Sequence, residues 1–479
     1  ELRLIFTNDI HSHEMPFNPV GAHCSYTDVQ REECRGGAAR RKYIFDLLER
    51  GHPNVLKFDS GDIFQGDPFY NYYRGNASIP IMQILGYTAV TIGNHEFDDK
   101  VDHLVKFYKQ LKIPVVCTNL NLAGEPELYR IVKRSLILEQ YNIAILGITT
   151  VNTQSISQGT GQVEFIDPVP AVQAEIDRLR GQGITTIFVL SHCGYKTEQR
   201  LIRKTRGITL IFGGHSHSYL SNDPDDPSAR GAFPTTVYDL DGRPAYVVQA
   251  KMWGEYVGFL DLTLNPELGQ ITWLSGQPIH LSSNVPEDAA MKAFVEHLNK
   301  PIQAAGGSVL AHVPLDMPQA PCKRGECQLA NWVTNAMLAA TRHLSTQIAL
   351  INSDGMRQGL RQGPLTLSNL LAVFPFRDPV VQAYMTGRHI LDSITGSVRE
   401  RSPVDQVWVT CFAQFAGLKM DFNFERKYLH RLYVRAGPSD PPSSSDSPYP
   451  GWIPIQEDKV YSVVTLEYVA KGNDHVVVP

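Results

Sequence analysis

Short apolar runs, each followed by polar residues, recur along the first half of the chain. They are Leu4–Phe6, Val55–Leu56, Val90–Ile92, Ile187–Leu190 and Leu210–Phe212. Runs of this length predict buried strands. Two segments have the spacing of amphipathic helices. One is Ala38–Glu49, closed by Gly51, and the other is Val169–Arg180, with Gly181 behind it. Strands that alternate with helices predict an α/β fold.

The pattern changes near Asn284–Glu287. A helix is predicted over Asp288–Leu298, and the glycines that follow at Gly306 and Gly307 suit a hinge. A chain of 479 residues is also too long for one ordinary core. We therefore expect a first domain over 1–285, a linker helix and hinge over 286–305, and a second domain over 306–479. The polar stretch Ser221–Ser228 is predicted to be a surface loop inside the first domain.

Composition excludes several classes of partner. The formal net charge is −5 and 43% of residues are hydrophobic, which is ordinary for a soluble globular protein. A basic run with interleaved aromatic residues is absent, so we expect no nucleic-acid polymer as a partner. No apolar stretch reaches the roughly 18–20 residues of a membrane helix. The oligomeric state, monomer or homodimer, stays open.

The polar residues after the apolar runs have side chains of the kinds that can bind metal ions. Imidazole nitrogens and carboxylate or amide oxygens suit zinc, manganese and related divalent ions. Two such ions about 3.5–4 Å apart can generate a hydroxide nucleophile and hold a phosphoryl group. The alternative is that these residues are unrelated surface or capping groups, but five groups in this order favour a metal site. The candidates are Asp9, His11, Asp62, Asn94, His192, His215 and His217.

At these motifs the chain resembles a known family, the metal-dependent 5′-nucleotidases. The family includes animal ecto-5′-nucleotidase, bacterial UDP-sugar hydrolase and insect salivary apyrase, and the resemblance runs over about 2–475. It implies a four-layer αββα metallophosphatase domain, joined by a helix to a smaller C-terminal α/β nucleotide-binding domain. The motifs that carry it are Thr7–His11, Ser60–Gly66, Gly93–Asp98 and Gly213–His217.

The resemblance also implies a role for each candidate ligand. One metal would be held by Asp9, His11, Asp62 and His217, and the other by Asp62, Asn94, His192 and His215. Zinc is the favoured metal, with manganese, cobalt or calcium as alternatives. His95, oriented by Asp98, would stabilise the transition state or assist the leaving group, since an imidazole held by a carboxylate keeps one tautomer.

The second domain carries the substrate residues that the resemblance implies. Asn352 and Arg357 match the family's nucleotide loop. Phe376 and Tyr468 match two aromatic residues that stack on the base, and such stacking is worth roughly 1–3 kcal/mol per base in comparable sites. Asp474 matches the ribose contact, where a carboxylate can accept both hydroxyls.

Three departures from the family affect this specificity site. Lys323, followed by Arg324, stands where the family has a phosphate-binding arginine, and lysine lacks the planar fork. Arg377 and Asp378 replace a glycine pair after Phe376, and Ser353-Asp354 replaces small residues of the nucleotide loop. We expect an intact chemical site and an altered specificity site.

Seven cysteines bear on location. Cys24 with Cys34, and Cys322 with Cys327, resemble small-loop disulfides of the animal ecto-enzymes, which implies an oxidising compartment. The other three, Cys117, Cys193 and Cys411, are predicted to be buried thiols. Asn76-Ala77-Ser78 is a glycosylation acceptor pattern. Because the chain begins at Glu1, we expect a removed leader, and no apolar tail signals a lipid anchor.

The sequence thus predicts a secreted two-metal hydrolase that splits nucleoside 5′-phosphates such as AMP into nucleoside and inorganic phosphate. An apyrase-like activity on di- and triphosphates, or hydrolysis of UDP-sugars, uses the same metal site and stays open. A third alternative, from another class, is a non-catalytic secreted binder of nucleotides or proteins on the same scaffold.

Overall fold

The structure is a computed structural model that describes residues 1–157, 159–265, 267–376, 378–399, 403–404, 409, 411–423, 425–436 and 448–476. Arg377, one of the departures noted above, lies outside these ranges. The chain forms two compact units. The first comprises Glu1–Pro19 and His23–Gly307, and the second Val20–Ala22 and Ser308–Pro479.

A largely parallel sheet forms one half of the first unit. Its inner strands are parallel, and Tyr256–Asn265 joins them antiparallel beside Leu2–Thr7. Across the sheet the strands are Gln270–His280, Tyr256–Asn265, Leu2–Thr7, Val55–Asp59, Ala89–Thr91, Val115–Val116 and Val132–Lys133.

A second sheet forms the other half. Its four central strands are parallel, with an antiparallel strand at each edge. Across the sheet the strands are Thr235–Tyr238, Pro244–Val248, Leu210–Phe212, Thr186–His192, Ile143–Thr149 and Ser135–Leu138. The five strands predicted from the apolar runs are all confirmed. A short pair, Leu120–Asn121 with Glu164–Phe165, lies outside both sheets.

Four layers follow from where the apolar side chains are buried. Residues of both sheets, such as Phe6, Phe58, Phe188 and Phe212, form one core between them. Helices cover the outer face of each sheet and form two further cores. This is the predicted αββα sandwich. The helices are Tyr26–Gln30, Ala38–Glu49, Pro68–Tyr73, Ser78–Leu85, Val101–Leu111, Pro126–Tyr129, Thr153–Ile156, Pro168–Arg180, Tyr195–Lys204 and Ala289–Gly306.

The helix that follows the sandwich is longer than the sequence predicts. It begins where expected, capped by Asp288, but continues through Pro301 to Gly306 instead of ending at Leu298. Proline in a helix interior removes a hydrogen bond and disfavours the helix. Here the extra turns bury Ile302 against Phe69 and Ala77, and this packing outweighs the local preference.

The second unit is a smaller α/β structure. Its central sheet has the strand order Val380–Thr386, Val460–Leu466, Ile348–Asn352 and Ala413–Ala416. A three-stranded sheet contains Leu418–Asn423, Tyr428–Arg435 and Trp452–Pro454, and Val309–Val313 pairs with Gly363–Thr366. The helices are Gln328–Ala340, Leu367–Val373, Gly387–Arg399 and Glu467–Ala470. Ile348, Leu350 and Val463 lie in its main core.

The cysteines pair as predicted. Disulfides join Cys24 to Cys34 and Cys322 to Cys327. Cys117, Cys193 and Cys411 are buried thiols. Within the ranges given above, no helix is both long enough and apolar enough to cross a bilayer.

Candidate metal centre

The predicted metal ligands all follow the carboxyl ends of central strands. In the first sheet, Asp9, Asp62 and Asn94 come within a few residues of the ends of Leu2–Thr7, Val55–Asp59 and Ala89–Thr91. In the second sheet, His192 is the last residue of its strand, and His215 follows Leu210–Phe212. Parallel strands bring these ends to one edge, where loops can build a site.

The side chains converge around two carboxylates. His217 Nε2 lies 3.2 Å from Asp9 Oδ1, and His11 Nε2 lies 3.9 Å from the same oxygen. His192 Nε2 lies 3.0 Å from Asp62 Oδ2, and His11 Nε2 lies 3.8 Å from it. Asp62 is thus within 4 Å of histidines from both predicted ligand sets. A carboxylate in this position could contribute to both sets.

Two groups of donor atoms have the spacing that a metal ion requires. Asp9, His11 and His217 each offer an atom within 4.8 Å of the others, and Asp62, His192 and His215 form a second group. His11, Asp62 and His95 form a third, overlapping group. Asn94 is 3% exposed, and its Oδ1 accepts no hydrogen bond. The structure groups the other six candidates, Asn94 lies in the loop that approaches Asp62, and the division of the seven into two ligand sets stays a prediction.

The buried carboxylates and imidazoles of the cluster shift one another's pKa values. Burial opposes ionisation of Asp62, but His192 and His95 outweigh it and hold the pKa of Asp62 well below its usual value. Burial likewise opposes protonation of His192, yet Asp62 and Asp9 raise its pKa to about 10. Burial, together with His192, lowers the pKa of His215 to about 4, so its ring is a neutral donor. Buried carboxylates of this kind need positive charge, which divalent ions can supply.

Backbone carbonyls fix the orientation of two imidazoles. His11 Nδ1 lies 3.1 Å from the Phe64 carbonyl oxygen, and His192 Nδ1 lies 2.7 Å from that of Ser60. Because a carbonyl only accepts, each Nδ1 carries the proton in a neutral ring. The Nε2 lone pair is then available to a metal. His192 Nε2 is buried and faces Asp62 Oδ2 at 3.0 Å. Two cations of the predicted kind therefore fit these donors.

The ligand loops hold an uncommon backbone conformation. Five of the seven candidate ligands have positive φ angles: Asp9 (52°), His11 (50°), Asp62 (55°), His215 (70°) and His217 (50°). Residues other than glycine avoid this left-handed region, at a cost on the order of 1–3 kcal/mol each. The surrounding structure must therefore impose these turns.

Glu96 imposes one of them. Its buried carboxylate accepts hydrogen bonds from the backbone N–H groups of Asp62, Ile63, Phe64 and Gly93, at 2.6–3.3 Å. A Cβ on Gly93 would lie 2.2 Å from Asp62 Oδ1, so only glycine allows the two loops to approach this closely. Burial, with Asp62 nearby, raises the pKa of Glu96 to about 7.

Glu198 and Gln249 hold the histidine loop, and the sequence analysis missed both. Glu198 accepts from the Gly214 N–H and from Gln249 Nε2, while Gln249 Oε1 accepts from the Ser218 N–H. A signal was present for Glu198, because this acidic residue shares a helix face with the apolar Leu201 and Ile202. Neither residue belongs to a motif with the ligands.

The predicted catalytic pair also forms. His95 Nδ1 lies 2.8 Å from Asp98 Oδ2, and the His95 backbone N–H donates to Asp62 Oδ1 at 2.9 Å. A ring nitrogen of His95 lies within 4.8 Å of donor atoms of His11 and Asp62. The imidazole is therefore oriented by one carboxylate and lies beside the metal cluster.

In the second unit, the predicted ribose contact has its own polar network. Asp474 accepts from Asn352 Nδ2 at 2.7 Å and from the Tyr468 hydroxyl at 3.2 Å. Burial, with Asp474 beside it, raises the pKa of Tyr468 far above its usual value, so the phenol stays protonated. Asn352 Oδ1 is buried without a hydrogen bond. These three residues thus contact one another, and their substrate roles stay predictions.

The remaining substrate candidates lie on adjoining loops of the same unit. The Arg357 guanidinium lies 5.7 Å from the centre of the half-buried Phe376 ring. Lys323 Nζ lies 3.1 Å from Asp354 Oδ1, so two departures from the family pair with each other. Gln319 Nε2 also donates to the Ser353 carbonyl at 3.2 Å. Arg324 is exposed.

A four-layer sandwich with imidazoles and carboxylates gathered beyond the strand ends defines a metallophosphoesterase. Residues 2–219 match the model of the calcineurin-like phosphoesterase family, and residues 307–478 match that of the 5′-nucleotidase C-terminal domain.

Individual relatives match almost the whole chain. A crystal structure of a 5′-nucleotidase precursor from Thermus thermophilus is 31% identical, with a TM-score of 0.86, covering 99% of this chain and 91% of that one. The snake venom 5′-nucleotidase of Naja atra is 28% identical over 99% of this chain and 90% of its own length. An apyrase of Tabanus yao is 27% identical over 99% and 86%. The chain belongs to the 5′-nucleotidase family.

Proposed function

We propose that this protein is a secreted, two-metal hydrolase that splits nucleoside 5′-monophosphates into nucleoside and inorganic phosphate. The observation that carries the proposal is the grouping of Asp9, His11, Asp62, His192, His215 and His217 at metal-ligand spacing, in a chain that matches 5′-nucleotidases along nearly its full length. A binder that had lost catalysis would have no need to retain every donor and the His95–Asp98 pair.

The first unit supplies the chemistry. Asp9, His11, Asp62 and His217 would hold one divalent ion, and Asp62, Asn94, His192 and His215 the other. When bound, the ions would supply Lewis acidity and lower the pKa of a bound water. Protein groups do the rest. Asp98 holds the His95 ring, and His95 stabilises negative charge as it develops on the leaving oxygen.

The second unit supplies recognition. Phe376 and Tyr468 would stack on the base, Asp474 would accept from the ribose hydroxyls, and Arg357 would bind phosphate through its planar fork. Because Lys323 is engaged by Asp354 whereas Arg324 is exposed, a further phosphate contact would fall to Arg324.

The metals are assigned by ligand chemistry. Four imidazoles among seven donors favour zinc, and the carboxylate and amide oxygens leave manganese, cobalt or calcium as alternatives. Metal analysis of the purified chain by mass spectrometry, with activity restored metal by metal after chelation, distinguishes them.

Secretion is supported by the two disulfides and by the name of the venom relative. Peptide mapping without reduction is expected to recover Cys24 joined to Cys34 and Cys322 joined to Cys327. Free thiols at all four positions in protein from its native source would contradict an oxidising compartment. The same map tests Asn76, which is exposed, for a glycan.

A phosphate-release panel tests the activity. We expect AMP to be hydrolysed faster than ADP, ATP or a UDP-sugar in the presence of zinc or manganese, with adenosine and phosphate as products. Faster release from ADP and ATP would favour an apyrase, the activity in the name of the Tabanus yao relative. Nucleotide binding with no release under any metal would favour a non-catalytic binder.

A further inference from the structure

Asp98 accepts more hydrogen bonds than the predicted catalytic pair requires. Its Oδ2 lies 2.8 Å from His95 Nδ1 and also accepts from Gln65 Nε2 at 3.1 Å. Its other oxygen, Oδ1, accepts from the Ser157 hydroxyl at 3.0 Å. A carboxylate held on both oxygens cannot rotate without breaking one of these bonds. The plane that Asp98 presents to His95 is therefore fixed by two residues outside the pair.

Gln65 is itself held in a single orientation. It is 5% exposed and has a left-handed backbone, with φ of 70°. Its Oε1 accepts from the Gly66 N–H at 3.3 Å, which leaves Nε2 to donate to Asp98. The amide is thus oriented by the backbone of the same loop that carries Asp62. Gln65 therefore connects the loop of a metal ligand to the carboxylate of the catalytic pair.

Ser157 reaches Asp98 from a separate part of the chain. It is 3% exposed and follows the short helix Thr153–Ile156. Two residues further on, Gly159 packs tightly against the turn that carries His95, because a Cβ on Gly159 would lie 1.9 Å from the Phe97 carbonyl oxygen. Close backbone packing keeps the serine hydroxyl at bonding distance from the carboxylate.

We propose that Ser157 and Gln65 are positioning residues that hold Asp98, and through it His95, in the orientation needed to protonate the leaving group. The inference rests on the proposed function. As the bond from the attacking water oxygen to phosphorus forms, the bond from phosphorus to the 5′-oxygen breaks. The 5′-oxygen takes a proton from His95, and His95 is reprotonated from solvent, where the water's proton is released.

Two substrates with different leaving groups distinguish a positioning role of Ser157 from a role in general stability. The 5′-alkoxide of AMP needs a proton as it departs. In p-nitrophenyl phosphate, by contrast, the leaving group is p-nitrophenolate, which departs without being protonated. A general acid typically contributes about 10²–10⁴-fold, and partial misplacement forfeits part of that factor. We expect Ser157→Ala to lower kcat for AMP by roughly tenfold with little change in KM, and kcat for p-nitrophenyl phosphate by less than about twofold.

Ser155→Ala is the matched control. Ser155 lies in the same segment, but it is exposed and its hydroxyl donates to the Asn152 carbonyl, at 2.8 Å, and not to Asp98. Both substrates should be hydrolysed by this variant at the wild-type rate. An equal loss of kcat on both substrates after Ser157→Ala would show a merely structural role and overturn the inference, as would no loss on either.

A double-mutant cycle tests whether Ser157 acts through His95. In a His95→Ala background, Ser157→Ala should cause no further loss on AMP, because the group that it positions is gone. Additive losses would overturn the inference while leaving the hydrolase assignment intact. A wild-type protein that releases phosphate from neither substrate with any metal would instead overturn the proposed function and this inference together.

Discussion

Asp62 has more contacts at the metal cluster than any single role would need. One oxygen lies 3.0 Å from His192 Nε2 and 3.8 Å from His11 Nε2, and the other accepts from the His95 N–H. The same side chain thus contacts histidines of both predicted ligand sets and the predicted catalytic histidine. A substitution of Asp62 therefore tests the two-metal assignment most directly.

Asp62→Asn keeps the size of this side chain and an oxygen for the His95 N–H, but removes the negative charge that the two proposed cations would need. We expect less than about a tenth of wild-type AMP hydrolysis, even with added metal, because the metal pair does not assemble. Asp46→Asn is the control, since Asp46 forms an ion pair with Lys42 within the helix Ala38–Glu49 and contacts none of the candidate ligands. Activity above that fraction would refute a bridging role.

Glu255 gives a prediction about pH. Burial opposes its ionisation, but His280, Lys251 and Arg35 outweigh burial and lower its pKa to about 2. A lowered pKa stabilises the folded state above the unfolded value of about 4.5, and the contribution is lost as pH falls toward 2. The lowering corresponds to about 3 kcal/mol.

We therefore expect Glu255→Gln to reduce the free energy of unfolding of the first unit by about 2–3 kcal/mol at pH 7, measured in urea. The difference from wild type should shrink by about 1.4 kcal/mol per pH unit below about pH 4.5. Asp241→Asn, at the exposed pair with Arg206, should change stability little at any pH. A Glu255→Gln effect independent of pH would contradict the ion-pair account.

At the scale of single residues, the sequence predicts the site residues that belong to motifs and misses the supporting residues that lie outside them. Asp9 and His215 could be found because each follows an apolar run within a few residues. For Glu198 the signal was only its place on an apolar helix face, and for Gln249 and Ser157 there was none, because each acts on a partner far along the chain. Such long-range hydrogen bonds leave no local pattern.

Elements behave similarly. The helix Ala38–Glu49 has the predicted bounds because its apolar spacing and Gly51 are local signals. The helix Ala289–Gly306 exceeds its prediction because burial of Ile302 depends on Phe69 and Ala77, far away in sequence. Strand order across each sheet likewise required the structure, since pairing between distant strands is not encoded in any one run.

The loops of the second unit carry the specificity prediction. Phe376→Ala should raise KM for AMP by roughly tenfold, because one stacking face is worth about 1–3 kcal/mol. Turnover of a phosphate ester that has no base should stay nearly unchanged. Arg357→Ala should impair every nucleotide tested, since the contact that it is proposed to make is to phosphate or ribose and not to the base.

Because Arg357 packs over Phe376, the Phe376→Ala variant could also act by disturbing the fold around the ring. If Phe376→Ala impairs AMP and the base-free ester equally, the ring supports the fold and not the base. The stacking assignment would then be withdrawn. Trp332→Ala, at a 40% exposed aromatic residue of the same unit, is the control and should leave both substrates unaffected.

For the whole molecule, the backbone strain of the turns that carry the candidate ligands should lower stability when metal is removed. Left-handed backbones at five ligands store on the order of 1–3 kcal/mol each, and bound cations stabilise the state that holds them. We expect a chelator to lower the unfolding temperature of the first unit. Amide hydrogen exchange should accelerate around Asp9–Ser12, Asp62–Gln65 and His215–His217.

Peptides from the second unit, such as those spanning Ile348–Asn352, should exchange at the same rate with and without the chelator. Re-adding zinc or manganese should restore protection in the first unit. Faster exchange spread evenly over both units would indicate general destabilisation, and no change in the ligand loops would refute a metal-supported conformation.

The left-handed ligands also limit how this centre can be transplanted. A designer who copied its seven side chains onto another scaffold would reproduce the donor atoms but not the turns that aim them. Glu96, Gly93, Glu198 and Gln249 belong to neither predicted ligand set, yet they hold those turns. The smallest portable version of the site is therefore its loops with their buried anchors, and not a constellation of seven ligands.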